Sequence, residues 1–379
     1  MELIRESRWA FARVGIRPRL LALLLLGLLC SMAISAQTVP ARLRRTLVTN
    51  LKTSDESLRA LEHGGVVAYA IDLEPPSRIK LVGMIRIWAT PESFVKNYRN
   101  IESFESVPGV SVSRKFHVPP KESDLREMAL STAEAEGLKA CEPGNCDFKI
   151  DDDGLRQIRE TVKWASGDDA AQASAAVRRL WLEKLRRYQA IGDAGLPVYH
   201  DSTDYFSVGK GLKDLMLDSD PLREYAPQLD QYLRKYPRSG GRPIENFFYW
   251  QSGDFGLKPV HRISHVAIQK TSSTHGDAYV IASKMLFASH YFRSGLEFRY
   301  LIPGQNQRAG GMLYLVLVQS SEVDGMEGWK GRLLRPIVVT KSITAMEKYL
   351  GTVKEKVERE FKATIRTHPR NSSVKSPPE

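Results

Sequence analysis

Residues 278–302 constrain the fold more than any other stretch, because they alternate apolar and polar side chains over two long runs. Tyr279, Ile281, Met285 and Phe287 form one row; after a break near Arg293, Ser294 and Gly295, Leu296, Phe298, Tyr300 and Ile302 form another, with Glu297 and Arg299 between them. A period of two is the mark of a strand with one face buried, so this stretch predicts two long strands or one sharply bent strand. The chain must therefore build a sheet with a substantial apolar face.

Other elements follow from spacing. Residues 79–89 alternate, with Ile79, Leu81, Ile85 and Ile87 on one side and Lys80, Arg86 and Trp88 on the other. Thr90 and Pro91 then open a helix, since threonine caps an N-terminus and proline at the first helical position loses no hydrogen bond; Phe94, Val95, Tyr98 and Ile101 give it an apolar stripe. Pro108-Gly109 turns the chain into a strand over 110–118, which Pro119-Pro120 stops. From about 121 to 238 the period changes to helical. Leu155, Ile158 and Val162 mark one helix, and Val177, Trp181, Leu185 and Tyr188 another, whose Arg178, Arg179, Lys184, Arg186 and Arg187 form a concentrated basic face. A further helix starts at Asp220-Pro221 and carries Leu222, Tyr225, Leu229 and Tyr232. Strand signals return after residues 244–250, over 260–271, over 278–302 and over 311–320. In the last of these, Met312, Leu313, Tyr314, Leu315, Val316, Leu317 and Val318 leave neither face polar, so one side meets a core and the other a second layer or a ligand. Ile343, Met346, Leu350, Val353, Val357 and Phe361 end the pattern in a long amphipathic helix.

The N-terminus is of another kind. Arg5, Arg8, Arg13, Arg17 and Arg19 precede an apolar run over 20–30, and the small residues Ser31, Ala33, Ser35 and Ala36 follow. This is the pattern of a secretory signal peptide over residues 1–36, cleaved near Ala33 or Ala36, or alternatively of an uncleaved anchor. It places the protein outside the cytoplasm, in the periplasm or envelope of a bacterium. The formal net charge of the whole chain is +11, and the segment contributes five arginines against Glu2 and Glu6, so the remainder stays basic. Spread positive charge on an exported chain suits an acidic lipid surface and argues against nucleic acid. Of three cysteines, Cys30 lies in that segment, leaving Cys141 and Cys146 around a Pro-Gly turn in Cys-Glu-Pro-Gly-Asn-Cys. An even pair in an exported chain predicts a disulfide, and neither Cys-x-x-Cys nor further zinc ligands stand nearby.

The order of strand, helix, strand, further antiparallel strands and one long closing helix resembles the helix-grip fold of the START-like (polyketide cyclase/lipid-transport) superfamily. Tyr249-Trp250, Phe255-Gly256-Leu257-Lys258-Pro259, His265-Val266, Ala282-Ser283-Lys284 and Ala288-Ser289-His290-Tyr291-Phe292 are similar to segments of a group of uncharacterised exported bacterial proteins. The resemblance implies an α+β protein in which a curved antiparallel sheet grips the long C-terminal helix. It implies a START-like domain in two parts, 66–120 and 244–366, interrupted by a large helical insertion over 121–243. A polar segment, 37–65, precedes it and a disordered tail, 367–379, follows. Residues 278–302 then form the floor under the 343–361 helix, and the family's cavity between sheet and helix takes an apolar or lipid-like small molecule.

Chemical motifs are few. His261 and His265 stand four apart, but Val260, Val266 and Ile268 put them on a strand and no glutamate follows the first histidine, so the zinc-protease pattern is missing. The sequence holds neither a Gly-x-Ser-x-Gly elbow nor a phosphate-binding glycine loop. No metal or cofactor is expected. Lys284, His290 and Tyr291 lie among apolar residues of the central strands. Lys284 facing a cavity would pair with Glu297 or hold an acidic head; otherwise it lies on an exposed sheet face and His290 bonds a backbone carbonyl at the bend. Residues 328–339 mix Trp329, leucines and basic residues, a composition of membrane interfaces. They form either a gate touching a bilayer or a short packed helix. Lys284, His290, Tyr291, Tyr314 and Trp329 are the ligand-contact candidates. The expected function is non-catalytic binding of a lipid-like molecule, with a membrane-surface contact; the alternatives are an enzyme using Lys284, His290 and Tyr291, and an interaction module using the insertion.

Overall fold

The structure, a computed structural model, describes residues 38–164, 167–238, 240, 243–254, 258–273, 276–304 and 311–367. Residues 1–37, on which the expected signal peptide falls, and residues 368–379, the expected tail, lie outside the described residues. An eight-stranded, curved and open sheet forms the middle layer. Its strands are β1 (Val67–Asp72), β2 (Arg78–Ile87), β3 (Val110–Lys115), β6 (Glu245–Asp254), β7 (Pro259–Ser273), β8 (Gly276–Ala288), β9 (Phe292–Pro303) and β10 (Leu313–Val323), in the order β1-β2-β10-β9-β8-β7-β6-β3 with every neighbour antiparallel. A separate two-residue pair, β4 (Val198–Tyr199) and β5 (Phe206–Ser207), lies in the helical region.

The register explains why the central strands are so apolar. Ile85, Leu315 and Leu301 are directly paired and share one face; Val82, Val318, Phe298 and Ala282 are paired and share the other. The first face is covered by α3 (Pro91–Arg99), α4 (Ile101–Phe104) and the closing helix α11 (Gly328–Thr367). The second is covered by two N-terminal helices, α1 (Ala41–Thr49) and α2 (Asp55–Glu62), and by the helices of residues 121–243: α5 (Thr132–Lys139), α6 (Asp152–Thr161), α7 (Asp169–Ile191), α8 (Val208–Leu217), α9 (Asp220–Tyr225) and α10 (Pro227–Lys235). With helices on both sides, alternation disappears and strands such as β10 are apolar throughout. The second layer expected over β10 is thus present. From Val39 onward the described chain is one compact unit.

Several local expectations hold. Thr90 accepts a hydrogen bond from Ser93 N at 3.1 Å and Pro91 opens α3. Met346, Leu350, Val353, Val357 and Phe361 are buried under α11. Cys141 and Cys146 are disulfide-bonded.

Other expectations need correction. Within the expected polar segment 37–65, the described residues 38–65 are part of the fold, because Leu43, Leu47, Leu58 and Leu61 of α1 and α2 are buried against β1 and β2 side chains. Residues 278–302 are two strands, as one of the two expected forms has it, but the link between them is at 289–291, with Tyr291 at φ +61°, so the chain reverses before Arg293-Ser294-Gly295. They are not the floor under α11, which lies over β2 and β1; α3 covers β8 and β9. The strand order decides this, since β10 and β2 separate β9 from the β1 edge. Residues 328–339 are neither a loop nor a separate helix but the first three turns of α11.

Candidate functional site

Those first turns carry the largest exposed apolar group in the described structure. Trp329, Leu333 and Ile337 recur every fourth residue and leave 65%, 66% and 54% of their surface exposed; Leu334 beside them leaves 49%. Successive residues at this spacing drift only slowly around a helix, so the four form one outward stripe. Arg335, on the inner side, holds the arm to the body by donating to Pro76 O at 3.2 Å and Asp72 Oδ1 at 2.9 Å. Val338 and Val339 are half-buried below it. Lys330, Arg332 and Lys341 are exposed on the same turns; at about 100° per residue Lys330 and Lys341 project between Ile337 and Leu334, Arg332 lies on the far side of Trp329, and Lys330 Nζ sits 5.6 Å from the Trp329 ring centre. An outward helix face that mixes large apolar and long cationic side chains suits a bilayer interface, where the charged ends of flexible stems reach headgroups.

The chain matches no protein-family model and no curated protein. Function therefore rests on geometry alone.

Of the other candidates, Lys284 is 1% exposed and faces the helical layer, in register with His265 and Leu296. Its Nζ donates to Asp193 Oδ1 at 2.5 Å and Leu233 O at 3.2 Å. Burial lowers its pKa while the Asp193 carboxylate opposes the shift. Lys284 is a buried cation paired with a carboxylate, but the partner is Asp193: Glu297 lies on the opposite face, where it pairs with Arg299, and the alternative of an exposed Lys284 does not hold. Beside it His265 is fully buried, bonded to Tyr188 Oη at 2.9 Å and stacked on Phe248. Burial and then the Lys284 charge hold its pKa well below the ordinary histidine value, so this ring is neutral.

Tyr314 is 1% exposed and packs in the core between sheet and helical layer, within reach of Arg86. His290 is buried at the β8–β9 link and bonds the Asp147 carbonyl at 2.7 Å, as one of the two sequence readings has it. Tyr291 beside it is half-buried. The five candidates are therefore spread over four places, and only His290 and Tyr291 adjoin. The basic face of α7 is largely engaged: Arg178 donates to Met128 O, Lys184 to Asp151 and Arg186 to Pro120 O.

Sequence reasoning missed two buried polar groups. Arg299 is 3% exposed and bonds Tyr98, Tyr349, Glu105 and Glu297, tying β9 to α3 and α11. Glu134 of α5 meets His290 Nε2 at 3.4 Å and His261 Nε2 at 3.7 Å. Burial works to raise the Glu134 carboxyl, but hydrogen bonds from His290 and Ser131 and the charge of His261 outweigh it and hold it at about 2. No local pattern marks either group; they are separated by up to 201 residues. Leu333 and Ile337 were legible, because they stand four and eight residues after Trp329 in the sequence.

Proposed function

We propose that this is an envelope protein that binds lipid at a bilayer surface without catalysis, through the outward stripe of α11. The observation that carries it is the exposure of Trp329, Leu333, Leu334 and Ile337 on one helix face, together with the exposed Lys330, Arg332 and Lys341 on the same turns. The lipid-like ligand expected from the START-like resemblance is kept, with its contact on the outer surface of the helix. The inner surface favours that placement, since Met346 and Leu350 fill the space over Gly83.

Magnitudes set the kind of binding. Covering the remaining exposed area of four large side chains contributes about 4 kcal/mol, and each cation near an anionic surface adds about 1 kcal/mol. Such a sum gives reversible peripheral attachment that depends on anionic lipid and weakens with salt.

Co-sedimentation of the full chain with phosphatidylglycerol/phosphatidylcholine vesicles tests it. Leu333→Asp with Ile337→Asp is expected to weaken binding at least about tenfold relative to the unaltered chain, with unchanged circular dichroism. Since both proteins carry residues 1–36, any contribution of that segment cancels. Equal binding by the two would sink the proposal.

A further inference from the structure

The eight-stranded sheet ends differently on its two sides. At one edge, β3 carries Ser111, Ser113, Arg114 and Lys115, its register with β6 slips between Val110 and Val112, and Lys115 N donates to the Glu102 carboxylate at 3.1 Å. Charge, a bulge and an occupied amide are the usual means by which a protein keeps an edge from recruiting another strand. At the other edge, β1 has none of them. Val67, Ala68, Tyr69, Ala70 and Ile71 are neutral, contain no proline or glycine and run in unbroken register with β2. Among the described residues, no backbone N–H or C=O of residues 67–71 bonds a group outside the β1–β2 ladder.

Alternation gives this strand two sides. Ala68 and Ala70 pack toward α11, while Tyr69 and Ile71 pack toward the other layer, where Tyr69 Oη donates to Leu51 O at 2.8 Å. Neither layer closes over the strand: residues 68–71 stay half-buried, Val66 is 37% exposed and the Asp72 side chain 90%. The row of backbone groups that points away from β2 is therefore open to an antiparallel neighbour.

We infer that the occupant of this edge is β1 of a second copy, the two strands running antiparallel about a two-fold axis at Tyr69. The neutral stretch is centred on Tyr69, so full overlap sets Tyr69 opposite its counterpart, Ala68 opposite Ala70 and Val67 opposite Ile71. Small then meets small on the α11 side, and branched meets branched on the other. Asp72, the one charge on the strand, falls opposite Val66 of the other copy on the α11 side, and the two Asp72 carboxylates stand at opposite ends of the pair. At that end Lys354 of α11, paired with Glu358, donates to Arg86 O at 2.7 Å, two residues past the Val67–Met84 pair, so each carboxylate approaches a cation. The guarded β3 edge disfavours a head-to-tail chain of β1 on β3, and a two-fold closes the assembly at two copies. A strand pair this short buries less than the roughly 1,000 Å² of a stable interface, so the dimer is reversible. An axis perpendicular to the sheet leaves both α11 helices on one side of it. The pairing uses none of Trp329, Leu333, Leu334 and Ile337, and is independent of the lipid contact proposed above.

Sedimentation velocity of the full chain without lipid, from about 1 to 100 µM, is expected to show a monomer passing to a dimer and no larger species. Amide exchange within residues 66–72 is expected to slow at least about fivefold across that range, as the free N–H groups find partners. A monomer throughout, polymers beyond the dimer, or a dimer whose 66–72 amides exchange unchanged overturns the proposal. So does a monomer in which those amides are protected only on adding envelope extract, since the occupant is then another protein. Asp72→Lys is expected to weaken dimerisation about tenfold or more, and Lys354→Glu added to it to recover most of that loss. Within one copy Asp72 lies beside Arg335 and Lys354 beside Arg86 at the other end of the strand, so recovery arises only between copies. A dimer indifferent to Asp72→Lys, or a loss that Lys354→Glu leaves in place, also overturns it. Should the double variant fail to fold, Ala70→Lys decides: it sets a charge on the α11 side of the pair, and an undiminished dimer rejects the pairing.

Discussion

Met346 occupies the space where a side chain on Gly83 would begin: a Cβ there would come within 2.5 Å of Met346 Sδ and 2.8 Å of Leu350 Cδ1. Gly83 lies in β2, paired with Leu317, so at this point α11 rests on bare backbone. Gly83→Ala is expected to lower stability by about 1–3 kcal/mol and Gly83→Val by more, because the well-packed helix must move away. Urea unfolding measures this as a lower midpoint with an unchanged slope; a stabilised Gly83→Ala protein would show that the contact is loose.

Lys284 is a buried cation whose carboxylate partner, Asp193, is part-exposed, so the two are expected to respond unequally to substitution. Asp193→Ala leaves the ammonium with only the Leu233 carbonyl and is expected to cost about 3–5 kcal/mol, whereas Lys284→Met, which removes the buried charge, is expected to cost much less. Similar losses for both substitutions in thermal or urea unfolding would contradict this asymmetry.

Stability on the acid side follows from two groups of the same cluster. Burial, with the His290 charge helping and Glu134 opposing, lowers the pKa of His261; its unfolded form therefore takes up a proton first, and stability is lost as pH falls below about 6.5. The Glu134 carboxyl, held at about 2, contributes stability that is complete above its unfolded value of about 4.3 and disappears as pH falls from there toward 2. That contribution is on the order of 3 kcal/mol. Glu134→Gln is expected to flatten the unfolding free energy between pH 5 and pH 2; an undiminished slope would assign acid sensitivity to other carboxylates.

Trp329 offers a direct view of the α11 arm. Being 65% exposed, it is expected to emit as a water-exposed indole in the free protein and to shift toward the blue on adding anionic vesicles, with reversal by high salt. Comparison with Trp329→Phe isolates its signal from the other five tryptophans. A spectrum indifferent to vesicles would remove this residue from any lipid contact.

The sequence by itself determined the elements and the surfaces each would bury. The stripe Met346, Leu350, Val353, Val357 and Phe361, the Thr90 and Pro91 helix start, the alternation over 79–89 and the two-sided apolar run of β10 are all local, because a period of 3.6 or 2 records which side of an element avoids water. Only the tertiary structure decided what covers those surfaces. That α11 lies over β1 and β2, that the helices of residues 121–243 cover the second face of the sheet, and that α1 and α2 belong to the core depend on strand order, which periodicity does not encode. Polar partners were equally invisible: Lys284 finds Asp193 91 residues away and His290 meets Glu134 156 residues away. A buried charge selects whichever opposite group the fold brings to it, and the sequence around Lys284 or His290 carries no record of that choice.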